Sequence, residues 1–521
     1  MCNVVGFWLV FIFALALAQQ HTLIQVQVVT RHGARTPLSK AARTLEEGGG
    51  ERLTPTGERQ QYDLGIWLRQ RYSSITSRPE IRSYNSSSVL LRSSSFARTI
   101  VSAQNLALGL FPERDDGASM LPANVTRANV PIYTKADGND VDIRAYANCP
   151  TFSISLDQLY RSSEFMSFEQ THIDLLQKLG QHPSLNPYTE MRPVVGKLVP
   201  LSLVWNAFDI INVAKTECDP NPNSVECLAL PDPSIRDYLL PDEWAVLQQV
   251  AHYAEHQKYL VPKKINLYGR KTAGTKLGGN ILLKILENME QSPSYLYSWV
   301  LFSAHYPTIL SIFATLDAYT ANPPLQQETI PNYASALIFE LYEDAVSKER
   351  SVRMVYKEGL QVVPLALSFG SVCPSPSPAG LCPLSQLAPQ LRTTVSYGDV
   401  QVWCKACENK EADQCLSGLL SSMEGKDSSS CDSSTRETVS FVFLFAAGTV
   451  LGCFTTLIVI YLKGVPWKKS NHSLGSDNQK GGNMQAGPNS NDDNPAVQDS
   501  VVEGKMGTEA ELGELPDHLQ A

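Results

Sequence analysis

The stretch QVVTRHGARTPL, residues 27–38, places two arginines and a histidine directly after a run of β-branched apolar residues. The preceding segment, residues 21–30, is apolar enough to predict a buried central strand that stops at Arg31. The motif therefore lies at the carboxyl end of a strand. Arg31, His32 and Arg35 fit either a basic surface turn or a phosphate pocket that contains a nucleophile.

Working outward from this stretch, strands and helices alternate, which predicts an α/β fold. Residues 53–72 predict an amphipathic helix, because Thr54 can cap it and Pro55 can take the first helical position. A second apolar strand ends at Arg92, and a helix over residues 97–111 follows. A second arginine is therefore predicted at a strand end.

The middle of the chain differs from both ends of this α/β region. Residues of about 150–265 are mostly helical by period and show no clear strand, which predicts a helical cap inserted into the core. After it, a helix over residues 277–291 precedes a strand that ends at His305. Residues 335–344 and 351–359 then predict two strands joined by a short charged turn, an antiparallel edge pair.

The two termini predict a secreted, membrane-anchored topology. Residues 1–18 end in Ala16-Leu17-Ala18 after a long apolar region, as secretory signals do. Residues 438–462 are uncharged and apolar over 25 residues, which is enough to span a bilayer, and lysines follow on the cytoplasmic side. The predicted organisation is a signal peptide (1–18), a lumenal domain (19–436), a single-pass type I transmembrane helix (438–462) and a disordered tail (463–521).

The cysteine content and the glycosylation sequons fit a lumenal domain. The net charge of −9 gives no support for nucleic-acid binding. Of the 11 cysteines, Cys2 and Cys453 fall in the signal and the span, which leaves nine in the lumenal part, where disulfides persist. Asn85 and Asn124 begin glycosylation sequons, which predict exposed loops if they are used.

Arg31, His32, Arg35, Arg92 and His305 come from three predicted strand ends, where open α/β sheets bind ligands. An arginine matches two phosphate oxygens at once, and a neutral imidazole can attack phosphorus to form a covalent intermediate. Taken singly, Arg92 fits a surface charge and His305 a structural histidine, whereas Arg98 fits a helix-surface charge or a support for the site. The combination predicts two-step hydrolysis of phosphate monoesters.

RHGARTP, residues 31–37, resembles the RHGxRxP signature of the histidine acid phosphatases. Further segments, among them LRSSSFARTIVSAQNLALGLFP, VWNAFDIINV and FSAH, resemble segments of the membrane-anchored lysosomal and prostatic branch in the same order, from about residue 23 to 415. The resemblance implies a phosphoglycerate-mutase-like α/β sandwich with a helical cap, no metal or cofactor, a homodimer, and an endosomal or lysosomal membrane, with the plasma membrane as the alternative.

The resemblance also implies roles for single residues. His32 becomes the nucleophile that accepts the phosphoryl group, and Arg31, Arg35, Arg92 and His305 become phosphate ligands. A cysteine resembling Cys149 pairs with one resembling Cys404, and Cys373 pairs with Cys382; Cys218 and Cys227 suggest a further local bridge. Cys407, Cys415 and Cys431 stay unassigned.

One position departs from the family pattern. The family follows its second histidine with an aspartate that protonates the leaving oxygen, whereas Tyr306 follows His305 here. Tyr306 could donate the proton itself, or a carboxylate such as Asp142 could reach in from elsewhere. Alternatively, the protein is a membrane glycoprotein that binds phosphorylated ligands with little or no turnover. Retention of His32 favours an enzyme, and Tyr306 favours the binding protein.

Overall fold

The computed structural model describes residues 21–37, 52–73, 84–112, 130–260, 277–291, 295, 297–327, 330–373, 375–377, 380–395 and 400–417. The predicted signal, transmembrane helix and tail lie outside these residues, as do Asn124 and Cys431. Within the described part of the chain, no helix combines the length and the apolar character needed to cross a membrane. Asn85 is exposed in a turn, where its side chain accepts a hydrogen bond from the amide of Ser87 at 2.9 Å.

A mixed sheet forms the centre of the fold, and its order is β10-β8-β7-β1-β6-β2-β3, with β9 paired to β8. The strand at the sequence motif, β1, pairs in parallel with β6 and antiparallel with β7. The strands are β1 (His21–Arg31), β2 (Val89–Ser93), β3 (Tyr133–Thr134), β6 (Trp299–Ala304), β7 (Ala336–Asp344), β8 (Arg350–Lys357), β9 (Leu365–Leu367) and β10 (Cys382–Pro383). The α/β fold is confirmed.

Helices cover both faces of the sheet, because successive residues of its strands point to opposite sides and both sides are apolar. In β1, Val28 packs into a core with the first two helices, whereas Val29 packs into a larger core with the later helices. The helices are α1 (Pro55–Tyr72), α2 (Ala97–Leu110), α3 (Pro150–Tyr160), α4 (Ser163–Thr171), α5 (Ile173–Gln181), α6 (Val204–Cys218), α7 (Val225–Leu228), α8 (Pro241–Leu260), α9 (Gly279–Glu290), α10 (Tyr306–Leu316), α11 (Ala318–Ala321), α12 (Leu384–Val395) and α13 (Val400–Cys407).

The segment predicted as a helical cap contains helices α3 to α8 in residues 150–260. It also contains a small antiparallel hairpin of β4 (Glu190–Arg192) and β5 (Gly196–Leu198), which the sequence analysis did not predict. Strands of three residues are too short to show an alternating pattern, so the hydrophobic period does not reveal them. The hairpin packs on α5, where Val199 donates its amide to the carbonyl oxygen of Leu176 at 3.0 Å.

The two strands predicted as an edge pair are antiparallel, but the first of them is not at an edge. β7 lies between β8 and β1, and its register with β1 runs from Thr30 opposite Ala336 to His21 opposite Asp344. Every residue of β7 except Glu343 is buried, which fits an interior strand. The short strands β9 and β10 cover β8 in turn.

Four disulfides cross-link the described chain. Cys218–Cys227 and Cys373–Cys382 are present, but the implied pairing of Cys149 with Cys404 is wrong. Cys149 pairs with Cys407, and Cys404 pairs with Cys415. Cys404 and Cys407 lie three residues apart on α13 and therefore share one face of that helix, so sequence spacing does not distinguish them as partners.

Two histidines of helix α8 should make the protein less stable in acid. Burial lowers the pKa of His252 and of His256 to about 4, below the ordinary value of 6.5. Between these values the unfolded chain binds more protons, so the stabilisation is complete above pH 6.5 and is lost as the pH falls toward 4, by about 3 kcal/mol for each histidine. We expect the melting temperature to fall over this range and the decline to be shallower in H252Q/H256Q. Equal slopes in both proteins would contradict this.

Candidate active site

The loop that follows β1 is fixed by hydrogen bonds from its own backbone. The amide of Gly33 donates to Ser102 Oγ at 3.1 Å, and the amide of Ala34 donates to Gln60 Oε1 at 2.9 Å. These partners lie on α1 and α2, the two helices that pack on one face of the sheet. The backbone around His32 is therefore held in place from the side opposite the cap.

Two glycines allow α1 to approach this loop. A Cβ atom added to Gly33 would lie 2.2 Å from the carbonyl oxygen of Gly57, and one added to Gly57 would lie 1.9 Å from that of Ala34. Thr54 caps α1 and accepts a hydrogen bond from the Gly57 amide at 3.1 Å. Glycine is required at both positions because any side chain would force the two backbones apart.

The surroundings of His32 fix its tautomer and disfavour its charged form. Its Nδ1 lies 2.8 Å from the Gly33 carbonyl oxygen, which can only accept, so Nδ1 carries the proton and Nε2 keeps a lone pair. Burial lowers the pKa of His32 well below its usual value, and the charges of Arg31, Arg98 and Arg35 lower it further. His32 is therefore neutral even in mildly acidic solution.

His305, at the end of β6, lies beside His32, with ring centres 5.5 Å apart. Its Nε2 lies 2.9 Å from Ser94 Oγ, and its buried Nδ1 makes no hydrogen bond to any residue that the structure describes. Burial lowers the pKa of His305 well below its usual value, and Arg98 and Arg144 lower it further. The predicted neighbours His32 and His305 are thus brought together.

The two arginines of the motif are buried and differ in their partners. Arg31 donates from Nη1 to the Pro331 carbonyl oxygen at 2.5 Å and lies 4.1 Å from the ring centre of Tyr333. Arg35 forms a two-point ion pair with Asp209 of α6, with nitrogen to oxygen distances of 3.0 and 3.1 Å. The buried Nε of each arginine has no hydrogen-bond partner among the described residues.

The third arginine beside the histidines is Arg98 rather than Arg92. Arg98 is 1% exposed in the first turn of α2, and its charge lowers the pKa of both His32 and His305. Arg92 is instead held by Asp140 at 3.0 Å and Asp142 at 2.7 Å. The difference arises because β2 ends at Ser93, so the chain turns into α2 and the first helical turn supplies the arginine.

A fourth buried arginine, Arg144, comes from the segment before the cap. Arg144 and Arg98 lie on the ring of Phe96, each with its guanidinium carbon 4.3 Å from the ring centre. Phe96 and His305 are the N-cap residues that precede α2 and α10, and neither helix has a side-chain cap. Four buried arginines and two uncapped helix N-termini together favour binding of a highly charged anion.

Tyr306 occupies the first position of α10 and is 3% exposed. Its hydroxyl donates to Oε2 of Glu255, on α8, at 3.0 Å, and its ring stacks on Trp205 at 5.5 Å. Burial raises the pKa of Tyr306 well above its usual value, and Glu255 raises it further. The phenol alone is therefore a poor acid.

Asp142 does not replace the missing aspartate. Burial opposes its charge, yet Arg92 and Lys135 hold the pKa of Asp142 below its usual value, so it stays ionised and paired. In the described part of the cap, Asp209 pairs with Arg35, and Glu255 accepts a hydrogen bond from the Tyr306 hydroxyl. That a carboxylate from elsewhere takes the place of the aspartate stays a prediction.

Sequence reasoning missed several residues of the site: Arg144, Trp205, Asp209, Glu255 and Tyr333. Trp205 and Asp209 lie within the family-like segment VWNAFDIINV, but that segment alone did not show which of its side chains face the motif. Burial is the signal that identifies them, because Trp205 Nε1 and the Tyr333 hydroxyl are buried and make no hydrogen bond to other described residues. Their donors add to those available to an anion.

Comparisons with known proteins identify the family of this chain. Testicular acid phosphatase of Mus musculus is 28% identical over 376 residues, which covers 69% of this chain and 78% of the relative. Lysosomal acid phosphatase of Xenopus laevis is 25% identical over 405 residues, covering 76% and 81%. A phytase from Citrobacter braakii shares the fold at a TM-score of 0.52 and 14% identity, covering 72% of this chain and 98% of that one. Residues 44–357 match branch 2 of the histidine phosphatase superfamily, and the chain belongs to that family.

Proposed function

We propose that the protein is an acid phosphatase that hydrolyses phosphate monoesters through a phosphohistidine formed on His32. The acid phosphatase relatives support a phosphatase function in general. The observation that carries the specific proposal is a neutral His32, with Nε2 as its lone-pair nitrogen, among the buried guanidiniums of Arg31, Arg35 and Arg98. An anion pocket built for binding alone would not need a nucleophile at its centre.

In the first step, the Nε2 lone pair of His32 attacks phosphorus, and the bond from phosphorus to the ester oxygen breaks. The proton stays on Nδ1, which keeps donating its hydrogen bond to the Gly33 carbonyl oxygen, so the ring keeps its orientation. Arg31, Arg98 and the Nε of Arg35 stabilise the negative charge on the transferring group. The ester oxygen leaves as the alcohol after it gains a proton.

In the second step, water attacks the phosphohistidine, the bond from Nε2 to phosphorus breaks, and inorganic phosphate forms. Burial and the arginines that lower the pKa of His32 make its neutral form the better leaving group. The same environment thus serves both steps, because His32 is neutral before attack and after release.

We place the enzyme in a lumenal or extracellular compartment. Four disulfides, the exposed sequon at Asn85 and a relative named as lysosomal support this proposal. The predicted signal and single membrane span would anchor it with the catalytic domain in the lumen of an endosome or lysosome, or at the plasma membrane. A homodimer is part of the same proposal, by resemblance to the family.

Trapping the intermediate tests the function directly. The purified full-length protein is mixed with an aryl phosphate labelled with ³²P, quenched within one turnover, and assayed for protein-bound label. We expect label that survives alkali and is lost in acid, as a phosphorus to nitrogen bond requires. Hydrolysis without such label, or no hydrolysis at any acidic pH, would refute the proposal.

A second candidate function is binding of phosphorylated ligands with little turnover. The observation that favours it is the commitment of the Tyr306 hydroxyl to Glu255, which leaves no carboxylic acid directly after His305. A binding protein would retain a phosphomonoester intact, whereas an enzyme would release phosphate. Incubation with an aryl phosphate and measurement of both bound ester and free phosphate separates these functions.

Restoring the aspartate of the family pattern should accelerate hydrolysis of esters that have poor leaving groups. In Tyr306→Asp, the new carboxyl would lie near Glu255, and two carboxyls in one buried site retain a shared proton for donation. We expect kcat/KM for an alkyl phosphate to rise at least about tenfold, with little change for an aryl phosphate, whose leaving group needs no acid. Tyr306→Phe is the control and should give no rise. An equal rise for both substrates would contradict this reasoning.

A further inference from the structure

A buried chain of polar groups connects the cap to the candidate active site at Tyr306. The Tyr306 hydroxyl donates to Glu255 Oε2 at 3.0 Å, and Glu255, which is 1% exposed, forms an ion pair with Lys258 one turn further along α8. A buried carboxylate needs such partners to remain charged.

Tyr306 brings the end of this series of polar groups close to Arg31 and Arg35. Its ring centre lies 5.2 Å from the guanidinium carbon of Arg31, and its hydroxyl acts electrostatically on both Arg31 and Arg35. The stacked ring of Trp205 fixes the opposite face, with the Arg35 guanidinium carbon 5.9 Å from the Trp205 ring centre. Tyr306 is thus the group through which Glu255 can influence the reacting atoms.

We propose that Glu255 and Tyr306 form a proton relay that takes over the task of the aspartate absent at position 306. The proposal rests on the proposed phosphatase function. Tyr306 exchanges a proton with the substrate oxygen, and Glu255 acts through it as a positioning residue that stores the proton.

The relay balances over the two steps. While His32 Nε2 binds phosphorus, the ester oxygen takes the Tyr306 hydroxyl proton, and Tyr306 takes the proton of a neutral Glu255, which becomes a carboxylate. When water attacks the phosphohistidine, water gives a proton to Tyr306 and Tyr306 returns one to Glu255. The net reaction is ester plus water to alcohol plus phosphate, and the relay ends as it began.

Several titratable groups of the described chain surround the Glu255 carboxylate. The titratable groups that face it are Lys258 and Tyr259 of α8, Tyr160 of α3 and Tyr306 of α10. Lys258 is the cation among these groups, and it forms an ion pair with the Glu255 carboxylate. Because burial and Glu255 raise the pKa of Tyr306, its hydroxyl passes a proton only in exchange for another.

The test compares Glu255→Gln with the wild type in the purified full-length protein, using p-nitrophenyl phosphate and glycerol 2-phosphate as the probes. Glutamine keeps the shape and accepts the Tyr306 hydrogen bond but cannot supply a proton. We expect kcat/KM for the glycerol ester to fall about tenfold more than for the nitrophenyl ester, and its rise toward acidic pH to disappear. Tyr306→Phe should give the same selective loss, and the double variant should lose no more than either single one.

Lys258→Met is the second variant, because it keeps Glu255 and Tyr306 while removing the charge that favours the carboxylate. We expect hydrolysis of the glycerol ester to extend to higher pH in this variant, which a structural role for Lys258 would not produce. Equal losses on both esters in Glu255→Gln, or an unchanged pH profile in Lys258→Met if Glu255→Gln does not fold, would overturn the relay. Neither outcome would contradict the proposed function, which fails if no labelled phosphohistidine forms or if no phosphate is released at any acidic pH.

Discussion

His32→Ala is expected to reduce hydrolysis of both aryl and alkyl phosphates by about 10⁴-fold or more. Without Nε2 there is no atom to accept the phosphoryl group, and the remaining arginines can only bind the substrate. The measurement is the rate of phosphate release by the purified full-length protein across acidic pH, with a melting curve to show that the variant folds.

The substrate should still bind to His32→Ala, since Arg31, Arg35 and Arg98 are unchanged. Retained affinity for inorganic phosphate, measured by its protection against thermal unfolding, separates loss of the nucleophile from loss of the pocket. Equal rates in the variant and the wild type would show that any hydrolysis arises elsewhere or from a contaminant.

The second large effect distinguishes two arginines that are six positions apart. Arg98→Ala should lower kcat/KM by about 100-fold or more, because it removes a buried charge beside both histidines. It should also raise the pKa of His32, since Arg98 helps to lower it, so the acidic limb of the pH profile should shift to higher pH. A kinetic pH profile with an aryl phosphate measures both changes.

Arg92→Ala is the matched control for Arg98→Ala. Arg92 is held by Asp140 and Asp142, so its loss should lower stability while the acidic limb of kcat/KM stays in place. If Arg92→Ala shifts that limb and Arg98→Ala does not, the assignment of the two arginines is reversed.

The sequence predicted the grouping of site residues where reactive side chains directly follow predicted strands. Arg31, His32 and Arg35 follow a strongly apolar strand, and His305 ends another, so the parallel pairing of β1 with β6 brings the histidines together. The predicted grouping of these residues follows from the rule that parallel strands end at one edge of a sheet.

The same rule pointed to Arg92 and did not identify Arg98, because it says where a strand ends but not how the chain leaves it. β2 ends one residue after Arg92, and the turn carries Arg98 to the histidines instead. A basic residue in the first turn of a helix is unfavourable unless an anion binds there, and this was the available signal. The positions of Asp209 and Glu255 depend on the folding of the cap onto the sheet, and that of Arg144 depends on the segment before the cap; periodicity encodes neither.

The pairing of Cys149 with Cys407 has a mechanical consequence. These residues are 258 positions apart, and the loop that they close contains the cap and the strand that ends at His305. A force applied to the chain beyond residue 417 is therefore transmitted through covalent bonds to Cys149, directly before the cap. The last helix cannot be pulled away from the domain alone, and tension applied there passes through the disulfide and bypasses the cap and His305, which lie inside the closed loop.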